Sequence, residues 1–123
     1  MIVEALFCLA QNIYFEARSQ PLIEQVAVAQ VVMNRVRSPH YPNSVCDVVW
    51  ERRQFSWTHD GKSDSPRNVS AWVEANQIAS LVLSPGFPDL VDGATHYHAH
   101  YVSPSWASAL ESVATIGTHK FYR

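Results

Sequence analysis

The sequence predicts a mainly α domain with a small antiparallel β element, an α+β fold, from three observations. Apolar residues recur at helical spacing in three long segments, one short segment alternates strictly, and Pro- or Gly-containing breaks separate them. Hydrophobic residues make up 47% of the 123 and charged residues 16%, which suits a single domain over residues 1–123.

The first helix is carried by Ile2, Leu6, Leu9 and Ile13 with Phe7, Ala10 and Tyr14, and Ser19-Gln20-Pro21 ends it. Leu22 to Arg37 is the second helix, stopped by Ser38-Pro39, and it is apolar around most of its circumference, as a central core helix would be. Its polar stripe, Gln30, Asn34 and Arg37, needs hydrogen-bond partners, with loop backbone favoured over substrate. Residues 38–67 are loop-rich, with a short helix expected from Asn43, as cap, to Trp50. Asn68 caps the third long helix, which runs to Leu83 before Ser84-Pro85-Gly86. From Ala94 to Tyr101 the period changes to two, placing Thr95, Tyr97, Ala99 and Tyr101 on one strand face and His96, His98 and His100 on the other. A second strand, Ile116 to Tyr122, is interrupted by Gly117 and can pair with the first.

The residue that stands out is Glu16, at the end of the first helix one turn beyond Asn12 and Ile13. Apolar neighbours and the negative end of the helix dipole both favour its protonated form, which a general acid requires. The competing reading is an exposed helix-end carboxylate paired with Arg18. Gln54, Phe55, Ser56 and Trp57 combine aromatic, amide and hydroxyl groups as a sugar-binding rim would, and they equally suit a core plug beneath a long loop. His96, His98 and His119 raise the alternative of a zinc site. With His100 on the same strand face, one ion cannot easily reach both His96 and His100, which at four residues apart are separated by about 13 Å. At most two adjacent members plus an outsider could bind it.

The net charge of −2 and scattered basic residues, densest at Arg52-Arg53, argue against nucleic acid as a partner. No apolar run is long enough for membrane insertion, and no basic start precedes the first apolar stretch, so no secretory signal is recognisable. The expectation is synthesis in the cytoplasm. Cys8 and Cys46 read as buried small hydrophobes, with a single bridge left open.

Ile13-Tyr14-Phe15-Glu16-Ala17-Arg18, the run Gln25 to Val36, Pro42-Asn43-Ser44-Val45-Cys46 and Gln54-Phe55-Ser56-Trp57 together resemble the SleB-like, spore-cortex-lytic type of cell wall hydrolase. Gly93 to Ala99 and Ile116 to Tyr122 match the closing motifs of that family's branch outside spore formers, so the resemblance covers residues 6–123. It implies a lysozyme-related, lytic-transglycosylase-like fold and cleavage of peptidoglycan between N-acetylmuramic acid and N-acetylglucosamine. Glu16 takes the place of the catalytic acid of the family's Glu-Ala-Arg motif. Where spore enzymes commonly read Gly-Glu-Pro next, this chain has Ser19-Gln20-Pro21, which changes the turn beside the acid. Spore members also lack the His-rich strand, so His96 and His98 are not indispensable to the chemistry.

Of the remaining carboxylates, Glu24, Asp47, Glu51, Asp60, Asp64, Asp89 and Asp92 read as loop or exposed-helix residues, none with an apolar setting like that of Glu16. A one-carboxyl scheme needs no second acid, so the lytic transglycosylase activity that the resemblance implies, forming 1,6-anhydro-muramic acid without a cofactor, is the expected one. Gln54, Ser56, Trp57, Tyr97 and His98 are the candidates for holding the sugar. Two other classes stay open: a zinc-dependent amidase or peptidase acting on the peptide stems through the strand histidines, and a non-catalytic glycan-binding module. The expected partner is peptidoglycan, met as a monomer at the cell wall after release, as by a phage endolysin or a bacterial housekeeping enzyme.

Overall fold

The computed structural model describes residues 2–51 and 54–123, so the Arg52-Arg53 pair lies outside it. Helices α1 (Ile2–Ala17), α2 (Leu22–Arg37), α3 (Val45–Val49) and α4 (Val69–Leu83) are followed by strands β1 (His96–Ala99), β2 (Ser112–Ile116) and β3 (His119–Tyr122). Short 3-10 turns cover Ser56–His59 and Ser105–Ala109. Among the described residues no helix is long and apolar enough to cross a membrane.

Helix α2 organises the molecule because it is apolar nearly all round. One side joins α1, α3 and α4 in the larger core, where Leu9, Ala10, Ile13, Val32, Val48 and Val49 are fully buried. Its other side, through Ala27 and Val31, packs with Val91, Ala94 and Phe121 beneath the sheet. The polar stripe does tie down loops. Gln30 Nε2 donates to Pro88 O at 2.7 Å while its Oε1 accepts from Leu90 N at 2.8 Å, and Asn34 Nδ2 donates to Ala94 O at 3.0 Å.

Three expectations are corrected. Ser44, not Asn43, caps α3, its side chain accepting from Asp47 N at 3.2 Å, because the helix begins one residue later than the sequence pattern suggests. The final strand is a hairpin: β2 ends at Ile116, Gly117 and Thr118 turn the chain, and β3 returns, giving an antiparallel sheet of order β1-β3-β2. Gly117 has φ +56°, and a Cβ there would lie 1.6 Å from Glu24 Oε1, so glycine serves both the turn and the close approach. Finally, Cys8 and Cys46 are not free thiols. They form a disulfide with Cα atoms 5.2 Å apart that ties α1 to α3.

The pairing His96↔Tyr122 and Tyr97↔Phe121 sorts the side chains of β1. Tyr97, His119 and Phe121 face inward, whereas His96, His98 and Tyr122 share the outer face, which Trp106 covers with its ring 5.0 Å from His96 and 5.7 Å from His98. His100 and Tyr101 lie beyond the end of β1 and are exposed.

Candidate active site

Glu16 occupies the last turn of α1, where the helix leaves the core. Its carboxyl Oε1 accepts a hydrogen bond from the hydroxyl of Tyr97, which reaches across from β1. Desolvation raises the Glu16 pKa above the usual carboxylate range; the Tyr97 bond and the charges of His119 and Arg35 act against that rise without cancelling it. Burial and the adjacent Glu16 hold the Tyr97 hydroxyl well above the usual phenol range, so Tyr97 remains a donor. Among the described residues Oε2 of Glu16 has no protein hydrogen-bond partner. The competing helix-end pair with Arg18 does not form: Arg18 instead donates to the Tyr14 hydroxyl and lies 4.6 Å over the Tyr14 ring.

Behind Tyr97 stands a buried hydrogen-bonded pair. His119 Nδ1 donates to Glu24 Oε2 at 2.9 Å, and Thr118 supplies its N–H and hydroxyl to Glu24, each at 3.1 Å. Burial alone would raise the Glu24 pKa, but the bonds from His119 and Thr118 outweigh it and hold the carboxyl below the usual range. Glu24 is thus not the exposed helix-face residue its position suggested; it is 1% exposed. The His119 ring sits 5.6 Å from that of Tyr97, so the pair sets the inner wall against which the phenol rests. Arg35, also buried, donates from Nε to Thr95 O at 2.8 Å and from Nη1 to Gln54 Oε1 at 3.3 Å. Among the described residues it pairs with no carboxylate.

Glu16 opens on a cleft of about 690 Å³ whose lining includes Tyr14, Phe15, Ser56, Trp57 and Asp60. Ser56 and Trp57 therefore share the cleft with the acid. Trp57 is nevertheless 5% exposed: its ring stacks on Phe15 at 4.8 Å, meets Trp50 edge-on, and its Nε1 donates to Asn12 Oδ1 at 2.8 Å. So little of the ring is exposed that Trp57 can offer a sugar only a small contact. Gln54 is exposed and tied to Arg35 but does not line the cleft. His98 is not brought to Glu16, because strand alternation turns it to the outer face. There Nδ1 donates to Ala99 O at 2.7 Å, Nε2 accepts from the Tyr122 hydroxyl at 2.8 Å, and the ring stacks on Tyr122.

The same alternation divides the histidines of the zinc alternative. His96 and His98 face one side of the sheet and His119 the other, and among the described residues no three His, Cys, Asp or Glu side chains gather as a metal would require. Asp60, Lys62 and Arg67 are cleft residues that the sequence did not single out, since nothing local distinguishes them from other loop charges.

A carboxyl held toward its neutral form at the side of an open cleft, on a mainly helical scaffold, is an arrangement able to donate a proton to a bound molecule. The profile of the Cell Wall Hydrolase family matches residues 19–122, and the chain belongs to that family. It is 32% identical over 113 residues to the spore cortex-lytic enzyme of Bacillus subtilis (strain 168), covering 92% of this chain and 35% of that protein. To the spore cortex-lytic enzyme of Halalkalibacterium halodurans it is 33% identical over 114 residues, covering 92% and 33%. The chain thus spans about a third of the length of these curated relatives. In fold it is similar to the catalytic domain of the germination-specific lytic transglycosylase SleB from Bacillus anthracis, with TM-score 0.76, 29% identity and coverage of 97% of this chain and 93% of that one. The catalytic domain of the Bacillus cereus SleB protein gives TM-score 0.75 and 29% identity, with 97% and 89% covered.

Proposed function

We propose that this chain cleaves peptidoglycan glycan strands between N-acetylmuramic acid and N-acetylglucosamine as a lytic transglycosylase, with Glu16 acting first as acid and then as base. The observation that carries the reading is the Glu16 carboxyl, whose desolvation favours its protonated form, bonded to Tyr97 and opening on the cleft. Glu16 gives its proton to the glycosidic oxygen as the bond to C1 breaks. The resulting carboxylate is stabilised by the Tyr97 hydroxyl and by the charges of Arg35 and His119. It then takes the proton of the muramic C6 hydroxyl as that oxygen attacks C1, which closes the 1,6-anhydro ring and returns Glu16 to its starting form.

Asp60 favours a second reading, hydrolysis, in which a second carboxylate on the cleft activates water. Mass spectrometry of digested murein separates the two: anhydro-muramic ends are expected, insensitive to chelator, whereas reducing ends would shift the assignment to hydrolysis. Glu16→Gln keeps the shape but loses the proton and should lower turnover by about 10²–10⁴-fold with the fold retained. Substantial residual turnover would refute the role of Glu16.

Action at the wall, outside the cytoplasm, is supported by the Cys8–Cys46 disulfide, a bond that persists in oxidising compartments. The names of the relatives, spore cortex-lytic enzymes, favour a bacterial wall role over phage lysis.

A further inference from the structure

The cleft beside Glu16 carries charge that proton transfer does not use. Arg18, Lys62 and Arg67 all line it, with Asp60 the one carboxylate there besides Glu16, although the chain as a whole has a net charge of −2. Among the described residues none of these cations forms an ion pair with a carboxylate.

Their backbone and side-chain anchors hold them on a common wall. The buried Tyr14 hydroxyl accepts from the Arg18 guanidinium and also from the backbone N–H groups of Arg67 at 3.1 Å and Asn68 at 3.0 Å. One oxygen thereby fastens the end of α1, which bears Glu16, to the segment entering α4. Lys62 is set by a local turn in which Asp60 Oδ1 accepts from Lys62 N at 2.9 Å. The loop is closed further by Ser63 Oγ, which accepts from Ser65 N at 3.2 Å.

We propose that Arg18, Lys62 and Arg67 form a carboxylate-binding rim that recognises the acidic peptide stems carried by the glycan, a specificity resting on the reading of Glu16 as a glycan-cleaving acid. A polymer of neutral amino sugars offers these cations nothing. A strand whose muramic lactyl groups bear peptides ending in free carboxylates offers anions beside the scissile bond. Guanidinium groups match carboxylates with paired N–H donors, and Arg18, Lys62 and Arg67 are all exposed on the cleft side.

The test uses Glu16→Gln protein co-sedimented with insoluble murein, either native or with its stem carboxylates converted to amides by carbodiimide coupling to ammonia. Native murein should bind about tenfold more tightly, the sum of a few exposed charge pairs, and the difference should shrink at high salt. Amidation removes negative charge from the polymer, so a merely non-specific effect on a protein of net charge −2 would run in the opposite direction. Adding Lys62→Gln and Arg67→Gln should abolish the preference, whereas Lys120→Gln, which alters an exposed cation outside the cleft, should preserve it. Equal binding of the two mureins, or an undiminished preference in the Lys62/Arg67 variant, would overturn the rim. Wild-type digestion of the same samples keeps the two ideas separate. Equal cleavage of both mureins refutes the rim and leaves Glu16 standing; no cleavage of either refutes the glycan-cleaving reading, while the sedimentation result still decides the rim.

Discussion

Replacing Tyr97 by Phe removes a single oxygen from the site and leaves the ring that packs 5.7 Å from Phe121 and 5.6 Å from His119. That oxygen donates to Glu16 Oε1, and the bond favours the charged carboxylate; its loss must therefore raise the Glu16 pKa beyond its already elevated position. A hydrogen bond to a charged group contributes about 1.5–3 kcal/mol, and one pKa unit corresponds to about 1.4 kcal/mol, so the shift should be about one to two units. Because Glu16 must be protonated to act as acid, activity falls as pH rises through its pKa, and Tyr97→Phe should move that falling limb upward by the same amount. At the optimum, turnover should drop by about tenfold or more, since the carboxylate formed midway loses its donor. Release of soluble muropeptides followed from pH 4 to 9 measures both effects. A limb that stays in place or moves to lower pH would refute the assignment of Tyr97 as the donor that stabilises the Glu16 carboxylate.

Three further outcomes follow from the same geometry. Glu16 has a raised folded-state pKa, so its contribution to stability is fully present below its unfolded value and is lost as pH rises through the folded one; Glu16→Gln should therefore stabilise the protein at pH 7 but not at pH 4, by about 1.4 kcal/mol per unit of elevation. Urea melts at the two pH values check this, and a variant less stable than wild type at pH 7 would contradict it. Gly117→Ala should destabilise by more than about 2 kcal/mol, because the new Cβ meets Glu24 Oε1 at 1.6 Å in a left-handed turn, displacing the carboxylate from Thr118 and His119; a near-neutral melt would show that the turn can yield. The Cys8–Cys46 bridge closes a separation of 38 residues, and its loss in the Cys8→Ser/Cys46→Ser double variant should cost about 4 kcal/mol by loop entropy, read from the same melts as a lower midpoint.

Much of the helical frame was legible along the chain. The pattern from Leu22 to Arg37 coincides with α2 as observed, and Asn68 caps α4 as expected, accepting from Ala71 N at 3.1 Å. These features depend on neighbours within a few residues, so periodicity and capping chemistry report them. The short strand β2 was missed, because Ser112 to Ile116 carries little alternation and takes its structure from pairing with β3. The dual fate of Trp57, plugged into the core yet lining the cleft, follows from Phe15, Trp50 and Asn12 closing around it, which its own four-residue segment does not encode.

The sequence by itself determined that an apolar helix ends in a carboxylate, because helical periodicity and its stop at Ser19-Gln20-Pro21 are set within a turn or two of residue 16. It left open whether that carboxylate is desolvated or paired with Arg18. Only the tertiary structure decided what surrounds it. Tyr97 reaches Glu16 from 81 residues away, His119 meets Glu24 from 95, and Asp60, Lys62 and Arg67 come to the same cleft by the folding of a loop. Local pattern is written in residues that touch along one element, whereas partners so distant in the chain meet only when α2 buries one side in the helical core and the other beneath the sheet, fixing where every remaining side chain can point.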